Sequence, residues 1–228
     1  MLSIVDLVEA GTLTRDLAAY ALAAIEGGAS FMVGALPGGA GKTTVMGALL
    51  NLVPRAVTLV AAADEASIEQ GLRDPTPRRC YVCHEIGSGS YFAYLWDRAL
   101  RRYFRLPAAG HMLATNLHAD NLDQALDQVC GENGVSAADF RRMNLLFFLA
   151  VEGAGGGARR RIVTAWESDG EQNHRPVFGH DTEAPLSSKL VPVAALDAAG
   201  RKIDAILRSG ARTIEQVREA VVGGACTP

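Results

Sequence analysis

The sequence predicts an α/β fold in which helices flank a mostly parallel β-sheet. Short apolar runs alternate with amphipathic segments along most of the chain, and this order is typical of strand–helix units whose strands run parallel. A glycine-rich loop separates one apolar run from the next helix, and polar residues stand directly after three of the runs. The chain has 228 residues, of which 49% are hydrophobic, so it is long and apolar enough to bury a substantial core.

The first predicted elements surround the glycine-rich loop. Residues Thr14–Glu26 have apolar side chains at helical spacing and end at two glycines, which favour the termination of a helix. A short buried strand, Ser30–Val33, enters the loop, and a helix, Thr44–Leu52, leaves it. The apolar run Arg55–Ala61 predicts a second strand, so the segment as a whole is a β–α–β unit.

The same alternation continues through the middle of the chain. Arg79–Glu85 is the third predicted strand, and Tyr91–Phe104 has the spacing of a long amphipathic helix. The fourth strand, Gly110–Thr115, precedes a helix with an acidic first turn, Asn121–Cys130. Ala137–Asn144 is predicted to be a further helix.

Two apolar runs joined by glycines predict a β-hairpin after these units. Its strands are Leu145–Glu152 and Arg159–Trp166, and its turn is Gly153–Gly157. The polar segment Glu167–Pro185 contains two prolines and two glycines and is predicted to be a loop.

The chain is therefore predicted to divide into two units. Residues 1–167 form the sheet-containing core with a short N-terminal helix, and residues 168–228 form a loop and a small helical tail. Helical spacing returns at Val193–Leu207. A final helix begins after Thr213, with Gln216 as its capping-box partner.

The segment Leu36–Thr44, with the sequence Leu-Pro-Gly-Gly-Ala-Gly-Lys-Thr-Thr, has the features of a phosphate-binding loop. Its glycines allow backbone N–H groups to point at one anion, Lys42 reaches the β- and γ-phosphates, and the Thr43 hydroxyl ligates Mg²⁺. The next helix adds the partial positive charge of its N-terminus. The residues predicted to bind the nucleotide are Gly38, Gly39, Ala40, Gly41, Lys42, Thr43 and Thr44.

The loop departs from the strict pattern G-x-x-x-x-G-K-T at one position. Leu36 stands where the first glycine is expected, although Gly34 and Ala35 just before it are small. The alternative is a glycine-rich loop that precedes a helix by chance and binds nothing.

Hydrolysis of a bound nucleotide needs an acid at the end of a neighbouring strand to order Mg²⁺ and polarise the attacking water. Glu85 follows the third strand, at the edge where ligands bind in open α/β sheets, and is the predicted catalytic acid and second Mg²⁺ ligand. Asp64 and Glu65, after the second strand, are the next candidates. The alternative for Glu85 is an ordinary exposed loop acid.

The end of the fourth strand supplies a polar tip of Thr115, Asn116 and His118. A hydroxyl or an imidazole placed there could contact the γ-phosphate through hydrogen bonds. His118 is therefore a candidate for such a contact. A lone histidine is more often structural, so the residue type by itself is a weak indicator.

Charge and hydropathy exclude several classes of function. The net charge of −3 gives no basic field for nucleic-acid binding, and the runs Arg101–Arg102 and Arg159–Arg161 are typical of a solvated face or a strand end. No apolar stretch reaches the ~18 residues that suggest a membrane span, and no secretory signal is apparent. A cytoplasmic location with reduced cysteines is the resulting expectation.

The string Cys80-Tyr-Val-Cys-His84 matches the attachment motif of c-type haem, C-x-x-C-H. It lies within a predicted strand, and no second pair of metal ligands accompanies it, since Cys130 and Cys226 lie far away in the sequence. We therefore do not predict haem or zinc here.

The segment Gly110–Asp120, followed by an Ala/Leu-rich helix, resembles the histidine box of the secretion ATPases, the motors of type II and type IV secretion and of type IV pili. His84-Glu85 also falls where that family has the Gly-Glu of its Walker B segment, and the phosphate loop and the arginine-bearing hairpin fit as well. The resemblance spans roughly residues 12–167.

This resemblance implies a RecA-like P-loop ATPase core that uses ATP and Mg²⁺. It assigns phosphate and Mg²⁺ binding to Lys42 and Thr43 and catalysis to Glu85. It also assigns contact with the γ-phosphate to His118, which we therefore include with Glu85 among the predicted catalytic residues. The chain departs from the family after Glu85, where Ile-Gly-Ser-Gly replaces Arg-Asp, and before the loop, where about thirty residues replace the N-terminal domain that contributes to the ring.

Three functions remain open at this point. The first is an ATPase that couples nucleotide turnover to a protein partner or to self-association. The second is a regulatory module that binds ATP or ADP without hydrolysing it, which Leu36 and the missing Arg-Asp favour. The third is a small-molecule kinase, for which the 167–185 loop, with one arginine, is the only candidate lid.

Overall fold

The computed structural model describes residues 2–89, 91–153, 158–180 and 186–223. Within these ranges the strands belong to one eight-stranded sheet. The strands are β1 (Phe31–Gly34), β2 (Thr58–Ala61), β3 (Arg79–Ile86), β4 (Tyr94–Leu95), β5 (Met112–Leu117), β6 (Leu145–Glu152), β7 (Arg159–Glu167) and β8 (Arg175–Gly179).

The sheet is parallel at its centre and antiparallel at one edge. Its strand order is β2-β3-β5-β1-β6-β7-β8, with β4 beside the end of β3. All pairs among strands β1 to β6 are parallel, whereas the pairs β6–β7 and β7–β8 are antiparallel. Because β5 lies between β1 and β3, the segments that leave the carboxyl ends of these three strands meet at one edge, where open α/β sheets bind ligands.

The helices cover both faces of the sheet. They are α1 (Ile4–Glu9), α2 (Arg15–Glu26), α3 (Lys42–Leu50), α4 (Glu65–Arg73), α5 (Asp97–Tyr103), α6 (Leu122–Leu126), α7 (Ala137–Arg141), α8 (Val193–Arg208) and α9 (Ile214–Val222). A 3₁₀ turn, Leu106–Ala109, precedes β5, and a π-helical turn, Asp127–Glu132, continues α6. Side chains cap several of these helices, and Thr213 and Gln216 form the predicted capping box of α9.

Successive residues of the central strands enter two separate hydrophobic clusters. Leu145, Phe147 and Leu149 pack on the side of α1, α2 and α3, whereas Leu146 and Phe148 pack on the side of α5, α6 and α7. Both faces of the strands are therefore buried, which is why their sequences are continuous apolar runs rather than alternating ones.

The C-terminal helices pack against the same sheet. Helix α8 lies beside α2, and Asp204 accepts hydrogen bonds from Nε and an Nη of Arg15 at 2.8 and 2.6 Å. Val217 and Val221 of α9 are buried in the cluster that contains α1, α2 and α3. Among the described residues, no helix is long and apolar enough to cross a membrane.

The predicted α/β fold with a mostly parallel sheet and a C-terminal hairpin is confirmed, and two local predictions are wrong. The predicted long helix Tyr91–Phe104 is a strand followed by a shorter helix, because Ala93 and Asp97 adopt left-handed φ angles of 56° and 51°, which prevent one continuous α-helix from running through them. The predicted loop Glu167–Pro185 contains β8, which pairs with β7.

Helices α1 and α4 were not predicted. The hairpin pairs as expected, but residues 154–157 of its predicted turn lie outside the described residues. Residue 226, one of the four cysteines, also lies outside them.

Candidate active site at the carboxyl edge of the sheet

The glycine-rich segment forms the connection from β1 to α3. Gly39 and Gly41 have left-handed φ angles of 74° and 99°, which glycine adopts without steric cost. Gly34, the last residue of β1, allows close packing, because a Cβ there would lie 2.6 Å from the Ala119 carbonyl oxygen. These glycines let the chain leave the strand and turn tightly into the helix.

Leu36 is accommodated without strain at the position where the strict pattern has glycine. Among the described residues, Ala93 and Asp97 are the non-glycine residues with a left-handed φ, and Leu36 is not one of them. Its N–H donates to Asp120 Oδ1 at 2.6 Å, which ties the loop to the segment after β5. The departure from the motif therefore does not force a left-handed backbone on a non-glycine residue.

The start of α3 is suited to anion binding. Its N-cap is Gly41, so no side chain caps the helix, and the N–H groups of its first turn are not satisfied in that way. Thr43 is exposed and Thr44 partly exposed at this end. The free amides and the helix dipole together favour a negatively charged ligand.

All nine predicted site residues line one cavity of about 370 Å³ beside the loop. Lys42 Nζ lies 3.6 Å from Glu85 Oε1 and 3.4 Å from His118 Nδ1, and it donates to the Ala35 carbonyl at 3.1 Å. Lys42 and Glu85 are buried, and the His118 side chain is 47% exposed. The cavity is lined by Gly38, Gly39, Ala40, Gly41, Lys42, Thr43, Thr44, Glu85 and His118.

One carboxylate oxygen of Glu85 faces Lys42 and His118 but does not form a hydrogen bond with either. It lies at the end of β3, where the pairing with β5 shifts register between Cys83 and Ile86. Its Oε1 is buried and has no hydrogen-bond partner in the part of the chain that the structure describes, since Lys42 Nζ at 3.6 Å and His118 Nε2 at 3.8 Å are beyond hydrogen-bonding distance. A buried carboxylate oxygen of this kind costs free energy unless a cation or a water supplies the partner.

The donor set fits Mg²⁺. The Glu85 carboxylate and the Thr43 hydroxyl both line the cavity, and hard oxygen ligands are what this ion prefers. The described residues contain no cluster of three or more His, Cys, Asp or Glu that could hold a metal by themselves. One carboxylate and one hydroxyl, completed by phosphate oxygens and water, is the usual arrangement for Mg²⁺ at a nucleotide.

Asn116 positions the segment that carries Glu85. It is fully buried on β5, and its Nδ2 donates to the His84 carbonyl at 2.8 Å, within the irregular part of β3. The Thr115 hydroxyl is also buried and donates to the Asn116 carbonyl at 3.2 Å. Neither residue lines the cavity, so of the polar tip predicted from the sequence only His118 reaches it.

His118 contacts the loop as well as Lys42. Its Nδ1 lies 3.2 Å from the Leu36 carbonyl oxygen, to which it donates when that nitrogen carries the proton, and its Nε2 faces Glu85. In the other tautomer Nδ1 accepts from Lys42 instead. Either arrangement places one imidazole nitrogen toward the cavity.

The other predicted acids lie elsewhere. Asp64 is the N-cap of α4, where its Oδ1 accepts from the Ser67 N–H at 2.7 Å. Glu65 pairs with Arg98 at 3.9 Å. Neither residue lines the cavity, so the structure favours Glu85 among the candidate acids.

The C-x-x-C-H string does not form a ligand set. Cys80 and Cys83 are buried in β3, and burial raises the pKa of each thiol to about 12. Cys83 Sγ donates to the Glu85 and Ala93 carbonyls, and the His84 ring stacks on Tyr94 with centroids 5.8 Å apart. The thiols are therefore neutral parts of the core at physiological pH.

One residue beside the loop was not predicted as a site residue. Arg160 of β7 donates from Nε to the Gly39 carbonyl at 3.4 Å. It lines a second cavity, of about 250 Å³, which shares Gly39, Ala40, Gly41 and Thr44 with the first. The sequence indicated it through a run of three arginines, which is also typical of a solvated strand end, and through the arginine-bearing hairpin of the family resemblance.

The fold of this chain is similar to that of two solved ATPases. The chain resembles the VirB11 ATPase from the Brucella suis type IV secretion system in complex with sulphate, with a TM-score of 0.52 and 16% identity over 73% of this chain and 57% of that one. It also resembles the Yersinia pseudotuberculosis ATPase DotB, with a TM-score of 0.50 and 10% identity over 89% of this chain and 55% of that one.

The likeness covers part of each solved structure. The chain spans somewhat more than half the length of both solved structures, and no protein-family model and no curated protein sequence matches it. At these identities the likeness establishes a shared fold. The resemblance to secretion ATPases that the motifs indicated is thereby confirmed at the level of the fold.

Proposed function

We propose that this protein binds ATP with Mg²⁺ at the loop between β1 and α3 and hydrolyses it. The observation that supports this most directly is the convergence of Lys42, Glu85 and His118 on the cavity of the glycine-rich loop. These residues come from three different segments of the sequence. The shared fold with two secretion ATPases supports the same function.

Each residue has a role that follows from its place. Lys42 and the amides of the first turn of α3 bind the phosphate oxygens, and Thr43 with Glu85 holds Mg²⁺. Bound Mg²⁺ neutralises charge on the β- and γ-phosphates. Glu85 accepts the proton of the attacking water, and His118 donates a hydrogen bond on the γ-phosphate side. Asn116 fixes the backbone that carries Glu85.

We further propose that nucleotide turnover is coupled to a protein partner or to self-association, in the cytoplasm. The named type IV secretion system of one structural neighbour supports coupling to other proteins. A second candidate is a regulatory module that binds nucleotide without hydrolysing it. The uncharged segment Ile86–Gly89 after Glu85 favours it, because no side chain there adds charge to the site.

The binding of nucleotide is tested by Lys42→Ala. This change removes the cation at the centre of the cavity, and charge-assisted contacts of this kind are worth roughly 1.5–3 kcal/mol. We expect calorimetry with ATP and Mg²⁺ to show a loss of at least about tenfold in affinity. Lys202→Ala, which removes the same charge from α8, is the matched control and should bind as the wild type does. Unchanged affinity in folded Lys42→Ala protein would contradict the proposal.

A further inference from the structure

The antiparallel edge of the sheet brings a basic residue to the loop. Strands β1 and β6 are parallel, so both end at the edge where the loop begins. Strand β7 runs in the opposite direction and pairs Arg160 with Val151, near the end of β6. The first residues of β7 therefore lie at the same edge as the loop, although they are more than a hundred residues away in sequence.

Arg160 packs closely on the backbone of the loop. Its Nε donates to the Gly39 carbonyl at 3.4 Å, and its Cδ would lie 3.2 Å from a Cβ at Gly41. Gly41 therefore makes room for the arginine stem as well as adopting a left-handed φ. The guanidinium has five N–H donors, and the contact with Gly39 uses one of them.

The neighbouring arginines point to the other face of the strand. Side chains alternate along β7, so Arg159 and Arg161 lie opposite Arg160. Arg161 pairs with Glu152 at 3.7 Å. Arg160, by contrast, forms no ion pair with any residue in the described ranges, and it shares its face with Ile162, which is buried against the α1–α3 side of the core. The Arg160 guanidinium, which has no ion-pair partner in the described ranges, therefore lies beside the loop.

The cavity beside Arg160 lies on a different side of the loop from Glu85. It is lined by Thr44 and Val45 of α3 and by Leu149, whereas Glu85 and His118 line only the first cavity. Under the proposed function, Glu85 and His118 mark the side of the loop where the γ-phosphate binds. A group on the Arg160 side therefore faces the phosphates that are nearer the nucleoside.

We propose that Arg160 is a nucleotide-binding residue, whose guanidinium contacts the α- and β-phosphates from the Thr44 side of the loop. The inference rests on the proposed function and adds a cation from the hairpin to the one from Lys42. Guanidinium binds phosphate oxygens through two parallel hydrogen bonds, which an ammonium does not provide. ATP and ADP share these two phosphates, so Arg160 strengthens the binding of both.

The test is calorimetry on Arg160→Ala, with Arg159→Ala as the matched control on the same strand. ATP and ADP affinity should each fall by about tenfold in Arg160→Ala, as expected for a charge-assisted contact, and should stay unchanged in Arg159→Ala. Arg160→Lys should recover part of the loss. The affinity for inorganic tripolyphosphate should fall by the same factor as the affinity for ATP, because the contact is with phosphate. Melting temperatures measured alongside should be similar for all variants.

Several outcomes would overturn the inference while leaving the proposed function intact. Equal affinities in Arg160→Ala and Arg159→Ala would show that Arg160 binds no phosphate. If Arg160→Ala loses affinity for ATP but not for ADP, the contact is with the γ-phosphate. If it loses affinity for ATP but not for tripolyphosphate, the contact is with the nucleoside. The proposed function itself fails if the wild type binds no ATP, or if Lys42→Ala binds ATP with the affinity of the wild type.

Discussion

The change Glu85→Gln separates binding from chemistry, and the structure gives the size of its effect. Glu85 Oε1 and Lys42 Nζ are 3.6 Å apart, and both side chains are less than a tenth exposed. At an effective dielectric constant of about 20, two unit charges at that distance attract each other by about 4.6 kcal/mol. Glutamine keeps the shape but leaves the buried ammonium without its anion. Removing one partner of a buried pair typically costs about 3–5 kcal/mol, a similar magnitude.

A phosphate group supplies the missing anion, so binding should recover part of that cost. With Mg²⁺ removed by a chelator, we expect Glu85→Gln to bind ATP at least about tenfold more tightly than the wild type, equivalent to about a third of the attraction. With Mg²⁺ present, hydrolysis should fall by about 10²-fold or more, since a positioned base is lost. Calorimetry and phosphate release under single-turnover conditions measure the two effects.

The control is Glu65→Gln, because Glu65 pairs with Arg98 on the surface and does not line the cavity. It should bind and hydrolyse ATP as the wild type does. A wild-type rate of hydrolysis in Glu85→Gln would refute the assignment of the base, and weaker binding without Mg²⁺ would refute the electrostatic argument.

Two further predictions follow from the same contacts. His118→Ala should narrow the difference between ATP and ADP affinity by a few-fold to about tenfold, since one neutral hydrogen bond contributes roughly 0.5–1.5 kcal/mol; an unchanged ratio with a lower melting temperature would make His118 purely structural. Burial acts to raise the pKa of Glu167, but hydrogen bonds from Ser188, the Lys189 N–H and Tyr20, together with Arg175, outweigh it and lower that pKa. This stabilisation is complete above the unfolded-state pKa of about 4.3 and is lost as pH falls through the lower folded-state pKa, so urea unfolding should show a smaller loss of stability in acid for Glu167→Gln than for the wild type.

The elements that the sequence predicted well are those whose determinants are local. Thr213 and Gln216 lie three residues apart and cap α9 as expected. Strand β1 is a continuous apolar run because both of its faces are buried. Strands β4 and β8 were missed because their existence depends on pairing with β3 and β7, which no local pattern reveals. The division of the chain at residue 167 stays a prediction.

The candidate site shows the same distinction. Lys42, Glu85 and His118 could be placed together from the sequence, because parallel strands that alternate with helices end at one edge of a sheet. The significance of Arg160 depends instead on the register of the hairpin, which brings β7 back to that edge. Asn116 likewise acts through the irregular pairing of β3 and β5, which only the structure shows. Their nucleotide roles remain predictions.

The contacts of Lys42 imply that nucleotide and Mg²⁺ binding depend on each other under the proposed function. The ammonium is close to Ala35, Glu85 and His118, and a phosphate that binds it draws it away from at least one of them. Glu85 then loses its contact with the Lys42 ammonium while remaining buried. Thr43 and Glu85 would then hold Mg²⁺, whose charge would offset that of the carboxylate and of the phosphates together. The contact between Lys42 and Glu85 is thus replaced by a contact of Lys42 with phosphate and a contact of Glu85 with Mg²⁺. This replacement favours the joint binding of nucleotide and Mg²⁺ over the binding of either one alone.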